Sequence, residues 1–110
     1  MNNNGVLSIL QNWSDEIVDG CSNNESICMA VFSIRGGSLI YANGAMLTLL
    51  KGEPSQSLMN PTFEELVAIE SASNLIFQGY LTIGDLHSVN NSIQAHIYRK
   101  NNQMLIVGGL

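Results

Sequence analysis

Few residues of this chain have side chains that could carry out chemistry, and none of them forms a recognisable catalytic pattern. The two histidines are His87 and His96, and neither lies in a serine, cysteine or carboxylate arrangement of the kind that activates a nucleophile. Glu64 and Glu65 follow Thr62 at the Thr-x-x-Glu spacing of a capping box, so capping and solvation explain the acidic pair. We therefore expect this chain not to be an enzyme.

The remaining candidate residues fit no metal or phosphate motif. Cys21 and Cys28 are seven positions apart, a spacing that matches no common metal or redox site, so we expect two ordinary small side chains, buried or half-buried. Gly36 and Gly37 lack the later glycine and lysine of a phosphate-binding loop. The sequence therefore predicts neither a metal site nor a phosphate cradle.

The composition argues against two classes of partner. Apolar residues make up 45% of the chain and charged residues 12%, with four basic against nine acidic side chains and a net charge of −5. Such a surface repels phosphate groups, so we expect binding neither to nucleic acid nor to an anionic membrane. The longest apolar run, 27–32, is too short to span a bilayer, and residues 1–4 lack the basic segment of a secretory signal. We expect a cytoplasmic protein.

The chain begins with a predicted amphipathic helix. Apolar residues recur at helical spacing from Gly5 to Asp19, and Gly20 is a plausible stop before a polar connector. We therefore divide the chain into an N-terminal helix with its connector, 1–25, and a globular unit, 26–110. The apolar stripe of the helix consists of Val6, Leu10, Trp13 and Ile17.

Five strands are predicted in the globular unit. The first, Ile27 to Ile34, and the last, Gln103 to Val107, are apolar on both alternating faces, which is typical of strands in the middle of a covered sheet. Ser38 to Ala42 forms a hairpin with the first strand, and the stretches from Leu75 to Ile83 and from Val89 to Arg99 alternate with a period of two.

The segment between the second and third strands is predicted to form several short helices. Asn43 marks a change from extended to helical pattern and can cap a helix that carries Met46 and Leu50. Gly, Pro and Asn residues between 52 and 61 interrupt the segment repeatedly. The predicted fold is α+β, a five-stranded antiparallel sheet with short helices on one face, and with the N-terminal helix against the other face or against a dimer partner.

This order of elements resembles a PAS domain, or sensory box. The similarity covers 26–108 and rests on the Gly36-Gly37 turn, the Tyr41-Ala42-Asn43 junction, the helix after Thr62 and the three closing strands. In that family the first and last strands lie together in the middle of the sheet. The resemblance also implies a ligand cavity between the inner sheet face and the short helices, although plain core is an open alternative for each candidate residue. The candidates are Val31, Ile40, Ala42, Met46, Leu50, Phe63, Leu66, Phe77 and Ile93.

The cofactor signatures of the family are missing from this sequence. Flavin-binding light sensors carry a reactive cysteine on a helix in the middle of the domain, and here no cysteine follows Met29. Haem-binding members use a histidine on the helix before the third strand, whereas 55–74 contains none. The resemblance therefore implies a small metabolite or no ligand at all, and the ligand stays unknown.

The second face of the sheet must also be covered, because successive strand residues point in opposite directions. The N-terminal stripe is the obvious cover, contributed by the same chain or by a partner, and we expect a homodimer built on it. The predicted dimer interface consists of Val6, Leu10, Trp13, Ile17, Phe32 and Tyr98.

Two functions from different classes stay open. The resemblance implies a sensory module of a bacterial signalling protein, with a histidine kinase or diguanylate cyclase output domain after Leu110. The alternative is a scaffold similar to roadblock or profilin proteins, which binds partner proteins without an internal ligand. Such a scaffold would have one long helix between the second and third strands, which is the feature that separates the two.

Overall fold

The computed structural model describes residues 3–21, 27–85, 87 and 90–109, with the backbone alone described for 3–7 and 18–21. It contains four short α-helices, a 3-10 helix and six strands. The helices are α1 Asn3–Asn12, α2 Ser14–Cys21, α3 Gly44–Leu47 and α4 Phe63–Ala68, and the 3-10 helix is Pro54–Ser57. The strands are β1 Cys28–Ser33, β2 Leu39–Ala42, β3 Leu58–Asn60, β4 Leu75–Ile83, β5 Asn91–Lys100 and β6 Gln103–Gly109.

The strands form one antiparallel sheet in the order β2-β1-β6-β5-β4-β3. The α+β class and the antiparallel sheet are therefore confirmed. The first and last strands pair in the interior of the sheet, from Cys28 opposite Gly108 to Ser33 opposite Gln103. The prediction that both are central is also confirmed, because a strand that is covered on both faces needs apolar residues at every position.

The predicted count of five strands was wrong, because β3 adds a sixth. This strand has three residues and pairs with β4, with Leu58 opposite Ile83 and Asn60 opposite Thr82. A three-residue strand is too short to show alternation in the sequence. Its pairing with β4 comes from the way the chain folds back after the 3-10 helix.

The N-terminal helix is interrupted, whereas the sequence predicted one continuous helix from Gly5 to Asp19. α1 ends at Asn12 and α2 begins at Ser14, so the break falls at Trp13. The carbonyl of Trp13 still accepts a hydrogen bond from the Ile17 N–H at 2.8 Å. The Trp13 side chain is fully buried, and this tertiary contact is information that helical periodicity does not contain.

Two predicted helix caps are confirmed. Asn43 Oδ1 accepts from the Met46 N–H at 3.0 Å and also from the Met29 N–H at 3.1 Å, while Asn43 Nδ2 donates to the Ile27 carbonyl at 2.8 Å. One side chain therefore starts α3 and ties it to the beginning of β1. At α4, Thr62 Oγ1 accepts from the Glu65 N–H, and the Glu65 carboxylate accepts from the Thr62 N–H, which completes the capping box.

The sheet separates two apolar clusters. The inner face carries the larger cluster, which includes Met46, Phe63 and Leu66 from the short helices. The outer face carries a smaller cluster around Trp13 and Tyr98. No helix in the described part of the chain is long and apolar enough to cross a membrane.

Candidate functional site

The structure brings most of the predicted cavity residues together on the inner face. Of the nine candidates, seven belong to the inner cluster or pack against it. Those seven are Ala42, Met46, Leu50, Phe63, Leu66, Phe77 and Ile93.

Val31 and Phe32 lie on the opposite faces from those assigned by the sequence. Val31, a predicted cavity residue, packs in the outer cluster, and Phe32, a predicted dimer residue, is fully buried in the inner one. Alternation could not show which face each residue covers, because β1 is apolar at every position from Cys28 to Phe32.

Ile40, the ninth cavity candidate, is 38% exposed and belongs to neither cluster. The pairing of β1 with β2 shifts register between Val31 and Phe32, so strict alternation does not hold along β2. Leu39 and Ala42 both pack against the inner cluster in consequence. A similar irregularity between Leu75 and Phe77 directs Leu75 to the outer cluster and Ile76 to the inner one. Strict alternation from the inner residues Leu81 and Ile83 would predict the reverse.

The inner cluster offers apolar contact and no reactive group. The rings of Phe32 and Phe63 pack with their centroids 5.6 Å apart and tilted by 60°. Cys28 is buried in the same cluster, and burial raises the pKa of its thiol, so it stays protonated and is a poor nucleophile. Among the residues that the structure describes, no three His, Cys, Asp or Glu side chains lie together as a metal site.

The outer cluster buries the N-terminal helices against the sheet of the same chain. Trp13 is 1% exposed and packs with Val31, Tyr98, Leu105 and Val107. Ile17 packs against this cluster as well, so three of the six predicted dimer residues, Trp13, Ile17 and Tyr98, lie in the outer cluster of one chain.

The other interface candidates are distributed differently. Leu10 is half-buried and Phe32 is on the inner face, while the side chain of Val6 lies outside the described residues. Ile9, which the sequence did not single out, packs against the outer cluster instead of Leu10.

Polar contacts fix Trp13 to the turn between β5 and β6. Its Nε1–H donates to Gln103 Oε1 at 3.1 Å, and the Lys100 ammonium lies 4.8 Å from the centre of its ring. Lys100 also forms a salt bridge at 3.1 Å with Glu16, one turn further along the helix. We call Trp13, Glu16, Lys100 and Gln103 the Trp13 latch.

The sequence did not predict the three polar members of the latch. Lys100 and Gln103 lie more than eighty positions from Trp13, and nothing in the local pattern links them. Glu16 lies three residues after Trp13, a spacing that places both residues on one face of the continuous helix predicted from the sequence. That spacing is the one signal from which part of the latch could have been found.

The Trp13 latch includes the first residue of β6, a strand that contributes to both clusters. In β6, Met104 and Ile106 belong to the inner cluster, whereas Leu105 and Val107 belong to the outer one. β6 also pairs with β1 on one side and β5 on the other. A change of packing on either face therefore reaches β6 directly.

Part of the outer face, over β4 and β5, shows exposed side chains. Tyr80 is 66% exposed, and it lies opposite Gln94, which is also exposed. His96 stacks on Tyr98, with ring centroids 6.4 Å apart, at the border with the Trp13 cluster.

No protein-family model matches the chain, and the search of curated proteins found no match. The PAS resemblance therefore stays a prediction.

Proposed function

We propose that this chain is a non-catalytic sensory module of the PAS type, which relays a change of packing to an attached output domain. The observation that carries the proposal is the position of β6, which lies between the two clusters and pairs with both neighbouring strands. The end of β6 is where a following domain would connect. A histidine kinase or diguanylate cyclase is the output that the resemblance implies.

The short helices support this proposal over the scaffold alternative. Between β2 and β4 the chain forms helices of four and six residues, a 3-10 helix of four and a short strand. A scaffold of the roadblock or profilin type would have one long helix there. The interrupted segment leaves α3 and α4 as separate short helices, each with its own N-terminal cap.

The proposed mechanism is a shift between two packing states. Binding of a ligand or partner changes the equilibrium only if it interacts differently with the two states. The Trp13 latch supplies a discrete difference, because Trp13 is either bonded to the β5–β6 turn or released from it. Release of Trp13 would uncover Leu105 and Val107 of β6, which belong to the same cluster.

The proposal includes a homodimer, but its interface differs from the one predicted from the sequence. Trp13 and Tyr98 are already buried within one chain, so a dimer of docked chains needs other residues. The exposed part of the outer face around Tyr80 continues the Trp13 cluster through His96. A second copy placed there would cover the face without displacing the helices.

A ligand-free interaction module is the second candidate. Met46, Leu66 and Ile93 are all fully buried by the protein itself, which favours a packed core over a filled cavity at those positions. Native mass spectrometry separates the two candidates. A reproducible small-molecule adduct on the purified chain supports ligand sensing, and its absence supports interaction alone.

The relay itself is tested in a fusion of the full chain, after Leu110, to the catalytic segments of a histidine kinase. Lys100→Ala weakens the latch and leaves Trp13 in place, and Lys51→Ala removes an exposed lysine outside it. We expect the first variant to change autophosphorylation several-fold and the second to leave it unchanged. Equal activity of all three folded proteins would overturn the relay.

A further inference from the structure

A cleft at the edge of the inner cluster lies where the β1–β2 turn, the 3-10 helix and α4 meet. Its volume is about 390 Å³, within the range of roughly 300 to 1,000 Å³ that is usual for small-molecule sites. The apolar wall consists of Ile34, Phe63 and Val67, and the other lining residues include Gly37, Ser55 and Glu64. It is separate from the Trp13 latch, which lies on the other face of the sheet.

The cleft has a fixed shape because its three sides touch. Gly37 is buried and has φ +71°, and a Cβ at this position would lie 3.4 Å from the Phe63 ring and 3.5 Å from Ser55 Oγ. These distances are ordinary van der Waals contacts, so the positive φ, and not a lack of space, is what favours glycine at this position. Phe63 in turn packs on Phe32 at 5.6 Å, so one wall of the cleft is anchored in the core.

The polar groups of the cleft have unused bonding capacity. Within the described part of the chain, neither the Gly37 N–H nor the Ser55 hydroxyl has a hydrogen-bond partner. Glu64 is exposed at the rim and forms no ion pair with any described residue. Two donors thus lie beside an apolar wall, with a carboxylate at the entrance.

These groups define the chemistry of a ligand. The two donors need an acceptor such as an amide carbonyl, and the wall formed by Phe63 and Val67 needs an aromatic or branched aliphatic group. Glu64 attracts an ammonium group and repels a carboxylate. We infer that this cleft binds a small apolar amide that also carries an amine, the chemistry of an apolar amino-acid amide.

The inference stands apart from the proposed relay, and its test reads the cleft directly. The full chain is titrated with phenylalaninamide, phenylacetamide and phenylacetate while backbone amide signals are followed by NMR. We expect saturable shifts at Gly36 and Gly37, tightest for phenylalaninamide, with phenylacetate weaker by about tenfold or more. No saturable shift at these two amides up to about 10 mM of phenylalaninamide would overturn the inference, whatever the kinase fusion shows.

Two variants locate the binding groups. Ser55→Phe fills the cleft and should abolish the shifts, whereas Gln56→Phe, on the neighbouring position that faces a different cleft, should preserve them. Glu64→Gln should remove the preference for phenylalaninamide over phenylacetamide, and Glu70→Gln, an exposed acid elsewhere, should not. Unchanged preference in folded Glu64→Gln would overturn the assigned role of the carboxylate, and this variant stays decisive if Ser55→Phe does not fold.

Discussion

The two faces of the sheet are covered by different kinds of contact. On the inner face, short helices cover a cluster held together by apolar packing, with fully buried members such as Leu66 and Ile93. On the outer face, the N-terminal helices dock through one buried tryptophan and three polar partners. The inner cover includes two helices that start at local caps, whereas the outer cover depends on residues far apart in sequence.

This difference suggests separate roles for the faces. A packed apolar cluster resists partial opening, because each lost side chain leaves a cavity. A cover held by a few specific contacts can detach as a unit at lower free energy. The outer face is therefore the side on which a reversible change is expected, and the inner face is the framework that survives it.

The largest expected effect is on the inner face. Leu66 is fully buried, so Leu66→Ala should lower the free energy of unfolding by about 2 to 5 kcal/mol. Chemical denaturation followed by circular dichroism measures it. Leu47→Ala is the control, since Leu47 is 54% exposed and its loss should change stability by less than about 0.5 kcal/mol. Similar losses in the two variants would contradict the description of the inner cluster.

Removing the outer anchor should have a smaller effect on the whole fold. Trp13→Ala removes the one fully buried side chain that the described N-terminal residues contribute to the outer cluster, and the helices should detach before the sheet unfolds. We expect proteases to cut within 3–21 much faster while the amide protons of β1 and β6 stay protected from exchange. If β1 and β6 lost protection to the same extent, the two faces would form one cooperative unit.

Asn43 provides a test at the junction between sheet and inner helices. Asn43→Ala removes the cap of α3 and the bonds to Met29 and Ile27, and should cost about 1 to 2 kcal/mol of unfolding free energy. Asn43→Asp keeps the accepting oxygen and loses the donor to Ile27. Its thermal unfolding midpoint should therefore lie between those of the wild type and the alanine variant. An aspartate variant as unstable as the alanine variant would mean that the cap contributes little.

The smallest effect concerns the salt bridge of the latch. Glu16 and Lys100 have side-chain exposures of 12% and 26%, and exposed pairs contribute about 0.2 to 1 kcal/mol. Glu16→Gln should shift the denaturation midpoint slightly, and added salt should shrink the difference from the wild type. Trp13 is the chain's single tryptophan, so its fluorescence reports docking specifically. Asp15→Gln, which changes an exposed neighbour, is the matched control. An equal shift of the midpoint in that variant would mean that the salt bridge does not contribute to docking.

Features that depend on neighbouring residues were predictable. Asn43 and Thr62 cap helices because a short polar side chain can reach the free N–H groups of the first turn three residues ahead. β5 shows its inner residues, Ile93 and Ile97, through plain alternation with polar ones. The interior position of β1 and β6 in the sheet was also predictable, because strands with apolar residues on both faces need cover on both sides.

The sequence by itself determined the α+β class, the central strands, the two caps and the presence of an apolar N-terminal stripe. Only the tertiary structure decided which face each residue of β1 covers, since an apolar strand carries no phase. It also decided that β3 joins the sheet and that Trp13 binds Lys100 and Gln103. The physical reason is the same in each case, because these features arise from pairing between distant segments, and periodicity records only the local surroundings of a residue.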